Sequence, residues 1–365
     1  MIAIAAGGTG GHLFPAEALA AELLARGERI ALFTDARSAA FDSPAFTQAE
    51  RFVLEGSGIA GRSALKAARG ALALGRGTWR ARGLLRRTGA RAVVGFGGYP
   101  AIPPALAALS LGAGRPVLVL HEQNAVLGRA NRLLAPRADA LALTYAETGR
   151  LPAGTRAHAV GNPVRPALAA LAGAAYEAPR EGAIRLLVIG GSLGARVFGD
   201  AVPAAVTALP PALRQRLIVT QQCRAEDLER VRAAYAGTGI PVELSPFFTD
   251  IPRRLATAHL VLARAGASTL AELACAGRPA VLVPLPSAID DHQAANARAL
   301  EAAGAASVLP QARMTGESLS ALLVTWLSSP DRLAEAARAA ASLARPQAAR
   351  DLADLVLSLL RRKAS

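Results

Sequence analysis

Arg264, Glu272 and Gln293 are a guanidinium, a carboxylate and a carboxamide within one stretch, Leu260 to Asn296, LVLARAGASTLAELACAGRPAVLVPLPSAIDDHQAAN. Together with the backbone amides of a small-residue turn, Ala265-Gly266-Ala267, they suit a ligand that carries phosphate, ribose hydroxyls and sugar hydroxyls at once. Each also has a plainer account. Thr269 to Glu272 fits a capping box in which the carboxylate only satisfies the first turn of a helix, and Arg264 fits a solvated surface charge. The chemistry therefore depends on the elements that hold these groups.

Those elements read as two consecutive strand-loop-helix units. An apolar strand ends at Ala263, the turn Arg264 to Ala267 follows, and a helix opens at Ser268 or Thr269. A second apolar strand spans Ala280 to Leu285 and runs into Asp290-Asp291-His292-Gln293. In a parallel sheet with helices on both faces, loops at the carboxyl ends of strands border the ligand crevice. Arg264 to Glu272 and Ser287 to Gln293 are thus expected at one pocket.

The same pattern opens the chain. Ile2 to Ala6 reads as a buried strand, Gly7-Gly8-Thr9-Gly10-Gly11-His12 as a glycine turn, and Pro15 to Arg26 as a helix stopped by Gly27. Such a turn lets a phosphate approach amides at a positive helix end. It is not the dinucleotide fingerprint, because Leu13 takes the last glycine position of G-x-G-x-x-G when the motif starts at Gly8, and no G-x-x-x-x-G-K-[ST] occurs. Asp35 stands where a nicotinamide enzyme places a ribose-binding acid, although a strand-end turn residue is the preferred reading.

Further along, Ala92 to Gly95 reads as a strand before a second glycine turn, Phe96-Gly97-Gly98-Tyr99-Pro100. The strand Val117 to Leu120 ends in His121-Glu122-Gln123-Asn124, four polar residues at the crevice edge and an unusual run for a mere loop. After the strand Leu141 to Thr144, Gly161-Asn162-Pro163-Val164-Arg165 leads into a loose Ala, Gly and Pro stretch that marks a domain boundary. The second half restarts with the strand Arg185 to Ile189 and a third glycine turn, Gly190-Gly191-Ser192-Leu193-Gly194-Ala195, and has further strands at Leu217 to Gln221 and Val242 to Leu244. An amphipathic tail helix from Gln347 to Leu360 is expected to cross back to the first half. The predicted fold class is α/β, with Rossmann-like domains at 1–162 and 163–345 and a terminal helix within 346–365 packed on the first.

The length of 365 residues suits two such domains. The formal net charge of +14 reflects heavy Arg usage throughout, with Lys only at positions 66 and 363, so the total says little about function. Its distribution says more, because no acidic residue lies between Glu55 and Glu122, where Arg62, Lys66, Arg69, Arg76, Arg80, Arg82, Arg86, Arg87 and Arg91 cluster. Ala64 to Leu85 interleaves these with Leu65, Leu72, Leu74, Trp79, Leu84 and Leu85 and reads as a pair of helices. A solvated arginine face accounts for most of the charge; the sharper expectation is docking on an anionic membrane surface. Nucleic acid is not expected as a partner, since no interleaved aromatics or known module accompany the arginines. Cys223 and Cys275 have no metal-ligand spacing and suit a reduced cytosolic protein. No signal peptide and no uninterrupted span of ~20 apolar residues is visible, so a soluble protein is expected, one that can sit on a surface.

Taken in order, GGTGGHLFPA, GFGGYP, HEQN, GNPVR, GGSLGA and GASTLAEL with DDHQ resemble a family of bacterial cell-wall glycosyltransferases over nearly the whole chain. That resemblance implies the GT-B architecture, two Rossmann-like domains with parallel sheets facing across a deep cleft. It also implies an inverting hexosyltransferase that moves N-acetylglucosamine from UDP-N-acetylglucosamine to undecaprenyl-pyrophosphoryl-N-acetylmuramyl-pentapeptide. It implies, further, that Thr9, Gly10, Gly11 and Asn124 border the donor sugar and diphosphate. Arg165, Ser192, the backbone near Phe248, and Ala267, Ser268, Thr269, Leu270, Ala271 and Glu272 would hold UDP, with Glu272 on the ribose and Gln293 on the sugar hydroxyls. Gly10, Gly11, Gly97, Gly98 and Tyr99 would border the acceptor diphosphate. Two departures are that His292-Gln293 replaces a glutamine pair of some relatives, and that Phe248 replaces an aliphatic residue.

The chemistry of that reaction needs an acceptor hydroxyl that loses its proton and a leaving diphosphate whose charge is stabilised. His12, at a helix N-terminus where the dipole disfavours the imidazolium, is expected to be the general base; the competing account is an acceptor-positioning or structural residue. Arg264 and Ser192 would help to meet the charge on UDP. No Asp-x-Asp motif occurs, so no metal is demanded, and no cofactor is required. The expected location is the cytoplasmic face of the inner membrane, peripherally bound. Rival readings are a GT-B transferase acting on another lipid such as diacylglycerol, a nicotinamide oxidoreductase built on Gly7 and Asp35, and a basic nucleic-acid-binding protein.

Overall fold

The computed structural model describes residues 1–8, 10–41, 43–54, 64–191 and 194–364, with the backbone alone for 64–67 and 364. The chain divides into two compact units, Met1–Arg165 with Gln347–Ser365, and Pro166–Pro346. The division falls three residues later than the sequence boundary, after Arg165 of the GNPVR segment.

The first unit holds a seven-stranded sheet of β1 (Ile2–Ala5), β2 (Ile30–Thr34), β3 (Glu50–Val53), β4 (Ala92–Gly95), β5 (Val117–Glu122), β6 (Ala140–Leu143) and β7 (Ala157–Ala159), in the order β3-β2-β1-β4-β5-β6-β7. The second holds β8 (Ile184–Ile189), β9 (Leu217–Gln222), β10 (Val242–Ser245), β11 (Leu260–Ala263), β12 (Ala280–Leu282) and β13 (Ala306–Val308), in the order β10-β9-β8-β11-β12-β13. Every pairing is parallel. Strands in such a sheet are covered on both faces, which is why the central ones are continuous apolar runs without a polar side.

Alternation along β1 shows how the two faces are filled. Ile2 and Ile4 join the first helix (Gly10–Ala25) and the tail helix (Ala348–Ala364) in one core, through Leu19, Leu23, Leu352 and Val356. Ala3 and Ala5 face the opposite core, where Phe33, Ala101 and Leu118 pack. In the second unit Leu186 and Val188 bury against Phe198, Leu260, Leu262 and Trp326.

Four local expectations change. The first helix starts at Gly10, not Pro15, which places His12 inside its first turn; Pro15 is accommodated because only one ladder bond is lost near the helix start. Ala64 to Thr88 is one helix rather than a pair, with Gly70, Gly77, Ala81 and Leu85 buried along one stripe against the helix Gly98–Leu109. Its glycines read as breaks in a single sequence, but in contact with another helix small side chains allow close approach. The helix after β11 starts at Ala267 with Gly266 at its N-cap and no side-chain cap, so Glu272 lies in the second turn and the capping-box account fails. β12 ends at Leu282 instead of Leu285.

Candidate functional site

In each sheet the strand order reverses once, between β1 and β4 and between β8 and β11. There the connections leave in opposite directions and open a crevice at the carboxyl ends of the strands. The register sets Ala5 beside Gly95 and Ile189 beside Ala263. Each unit thus brings two of the small-residue turns picked out in the sequence side by side: Gly7 onward with Phe96 onward, and Gly190 onward with Arg264 onward.

At the first switch point, the Gly8 amide donates to Ser38 Oγ at 2.8 Å, and the Ser38 amide donates to Asp35 Oδ1 at 2.9 Å. Asp35 is therefore a turn residue that braces the glycine loop. Gly97 and Gly98 have φ of +78° and +68°, values that side chains with a Cβ rarely adopt, and start the helix Gly98–Leu109. This turn lies against the half-buried imidazole of His12: a Cβ on Gly98 would stand 3.3 Å from Nε2. Tyr99 is partly exposed, yet its hydroxyl is buried without a hydrogen-bond partner, and burial raises its pKa. Thr9, which the resemblance put at the donor, lies outside the described residues.

The end of β5 contributes a buried polar cluster. His12 Nδ1 and Gln123 Oε1 are 3.0 Å apart, Gln123 Nε2 is 2.9 Å from His121 Nδ1, and His121 Nε2 is 2.9 Å from the Gly161 carbonyl. Glu122 Oε1 accepts from the Asn124 amide and from Asn124 Nδ2, both at 3.0 Å. Its Oε2 accepts from the Gly128 amide and Asn131 Nδ2, both at 2.9 Å. A buried carboxylate with four donors is held firmly and fixes the loop that carries Asn124. Arg165 belongs to this unit and stacks over the Phe14 ring at 4.4 Å.

At the second switch point, a Cβ at Gly190 would meet the Ala195 amide nitrogen at 2.4 Å, so only glycine permits this turn. Ser192 lies outside the described residues. The helix Ala267–Ala276 directs the amides of Ala267, Ser268 and Thr269 out of its first turn, where an anion is favoured, and Leu270 is already buried. Ala271 and Glu272 follow, half-buried. Arg264 is not a surface charge. It is 9% exposed and donates to the Val283 and Pro284 carbonyls at 3.1 and 3.3 Å and to Gln311 Oε1 at 2.6 Å. Nη1 thus braces the end of β12, and Nη2 ties it to Gln311 in the turn after β13.

Gln293 Oε1 accepts from the Leu285 amide at 2.9 Å, and the fully buried Asn296 donates to the Ala265 carbonyl at 3.2 Å. These two bonds tie the helix His292–Ala302 to both loops. Asp290 and Asp291 have φ of +55° and +54°, a costly conformation for residues with a Cβ. Phe248 is buried under the Arg254 guanidinium at 4.0 Å.

Sequence reasoning singled out HEQN as a run and gave a role to Asn124 alone among its members. It missed Asn131 and Asn296, each a lone amide on a helix next to a glycine-rich loop. A buried asparagine spaced to reach such a loop is the signal that was available.

Two Rossmann-like units, each with its glycine turns at a switch point, make this a GT-B protein, and the halves match accordingly. Residues 2–143 match the glycosyltransferase family 28 N-terminal domain and residues 185–355 the glycosyltransferase family 28 C-terminal domain, so the chain belongs to glycosyltransferase family 28. It is 59% identical to the UDP-N-acetylglucosamine--N-acetylmuramyl-(pentapeptide) pyrophosphoryl-undecaprenol N-acetylglucosamine transferase of Granulibacter bethesdensis, over 97% of this chain and 92% of the relative. It is 52% identical to the transferase of the same name from Gluconobacter oxydans, over 99% of both chains. Among solved structures it resembles Acinetobacter baumannii MurG with a TM-score of 0.78 at 31% identity, covering 98% of this chain and 99% of that one.

Proposed function

We infer that this chain transfers N-acetylglucosamine from UDP-N-acetylglucosamine to undecaprenyl-pyrophosphoryl-N-acetylmuramyl-pentapeptide. One observation carries the reading: 59% identity over 97% of the chain with a transferase named for these substrates.

In the mechanism the acceptor hydroxyl attacks the anomeric carbon, His12 Nε2 takes its proton, and UDP departs with inversion. The position of His12 in the first turn of a helix, with Nε2 against the Gly97-Gly98 turn, supports this role. The amides at Ala267 to Thr269 receive the diphosphate, whose growing charge they stabilise without reorganising. Glu272 accepts from the ribose hydroxyls, Gln293 donates to the sugar, Asn124 and the Gly10-Gly11 backbone border it, and Arg165 and the Phe248 backbone complete the donor site. Gly97, Gly98 and Tyr99 border the acceptor diphosphate. Arg264 acts by holding the loops.

The enzyme works at the cytoplasmic face of the inner membrane. Among the described residues no helix is long and apolar enough to cross a bilayer. The helix Ala64–Thr88 supports surface attachment, since Trp79 is 80% and Leu72 58% exposed among Arg69, Arg76 and Arg80.

The test is transfer of labelled N-acetylglucosamine from its UDP donor to a soluble-chain analogue of the muramyl-pentapeptide lipid. The native protein is expected to turn over, and His12→Ala to lose ~100-fold or more with donor binding kept. Turnover by the variant with only a modest loss would reduce His12 to positioning. No transfer by folded native protein that still binds the donor would overturn the acceptor assignment.

A further inference from the structure

We propose that Gln123 and His121 are positioning residues that hold the imidazole of His12 as its Nδ1–H tautomer, so that its lone pair stands on Nε2 at the edge bordered by Gly97 and Gly98. The catalytic part of this proposal rests on the reading of His12 as the base; the tautomer assignment does not.

The direction of every hydrogen bond in the cluster follows from two main-chain carbonyls, which can only accept. His121 Nε2 lies 2.9 Å from the Gly161 carbonyl and must donate. His121 is fully buried, and burial keeps the ring neutral, so its Nδ1 carries a lone pair. Gln123 Nε2 lies 3.1 Å from the His121 carbonyl, which identifies that end of the side chain as the amide NH2, and its second hydrogen goes to His121 Nδ1 at 2.9 Å. The carboxamide cannot be turned over without setting its oxygen against both of these acceptors. Gln123 Oε1 therefore faces His12 Nδ1 at 3.0 Å as an acceptor, and His12 Nδ1 carries the proton. In a neutral ring that leaves Nε2 bare.

The surroundings of Nε2 agree. It has no hydrogen-bond partner among the described residues, and the nearest prospective Cβ, at Gly98, would stand 3.3 Å away. Two glycines with positive φ thus keep open the edge of the ring where a hydroxyl must arrive. In the familiar nucleophilic triads a carboxylate orients the histidine. Here a neutral carboxamide orients it, itself oriented by a second, neutral histidine, so the base gains a fixed tautomer without an anion against its ring.

The experiment is a long-range nitrogen–proton correlation spectrum of the full chain labelled with nitrogen-15 in its five histidines, with His12 identified by signal loss in His12→Gln. The expected native spectrum has a protonated Nδ1 and a bare Nε2 at His12, with the opposite tautomer at His121. In Gln123→Leu, of similar size, His12 should become a mixture while His158, His259 and His292 keep their shifts. Its kcat should fall about 10-fold or more with little change in the KM for UDP-N-acetylglucosamine. A native His12 protonated on Nε2 overturns the proposal without recourse to any variant. An unchanged His12 tautomer in Gln123→Leu overturns the role of Gln123. A shifted tautomer with unchanged kcat overturns the catalytic part and, with it, His12 as the base, while leaving the transferase assignment intact.

Discussion

His121 has no solvent-exposed surface, and burial pushes its imidazole pKa from 6.5 down to about 4. Between those values the unfolded chain binds a proton that the folded chain refuses, so the contribution is present above pH 6.5 and is lost as pH falls toward 4. Its size is roughly 3 kcal/mol. Denaturant titrations of the native protein and His121→Asn should show a stability gap that narrows across this window; a gap constant from pH 7 to 4 would contradict the assignment. Glu272 permits a kinetic prediction. A carboxylate accepting from ribose hydroxyls is worth about 1.5–3 kcal/mol, so Glu272→Ala should raise the KM for UDP-N-acetylglucosamine roughly 10- to 150-fold with a smaller change in kcat. An unaltered KM would remove Glu272 from the donor site.

The helix Ala64–Thr88 presents its own case at the level of elements. Its buried stripe of Gly70, Gly77, Ala81 and Leu85 explains why it lies against its neighbour, but Trp79 and Leu72, seven residues apart on the opposite face, have no packing reason to be large and apolar. Interleaved arginines each add on the order of 1 kcal/mol near an anionic surface. The native protein should therefore sediment with anionic vesicles and not with neutral ones, less so as salt rises, and a Leu72→Ala, Trp79→Ala double variant should bind more weakly. Equal binding to both kinds of vesicle would sink the electrostatic part. At the switch points the relevant elements are short connections, and the same backbone register that pairs β1 with β4 and β8 with β11 brings them together.

The whole chain is two folding units with one exchange of sequence between them. The tail helix Ala348–Ala364 returns to the first unit, where Leu352, Ala353 and Val356 are fully buried and Asp354 accepts from Arg26 Nη1 at 2.5 Å. Burying Leu352 and Val356 contributes roughly 3–6 kcal/mol. Removing Gln347 to Ser365 should thus lower the melting temperature of the first unit and leave that of the second in place, as resolved by calorimetry. A single transition shifted as a whole would show that the two units do not unfold independently.

Much of this was legible in one dimension. Apolar runs bounded by glycine turns specify buried parallel strands whatever else the chain does, and the turn role of Asp35 follows from nearest neighbours in sequence, whereas the first-turn placement of His12 emerged only with a helix that starts at Gly10. Other features depended on contacts that sequence distance hides. The helix Ala64–Thr88 reads as broken until its glycines meet another helix. Glu272 reads as a cap until the helix is seen to start at Ala267. Arg264 reads as an exposed cation until carbonyls 19 and 20 residues away enclose it. The chain of hydrogen bonds from Gly161 through His121 and Gln123 to His12 joins segments 40 and 111 residues apart. Local pattern determines which elements form, because helix and strand periodicity act over a few residues. The partners of a buried polar group are decided only when those elements pack, because its hydrogen bonds must then be satisfied by whatever the fold has brought within 3 Å.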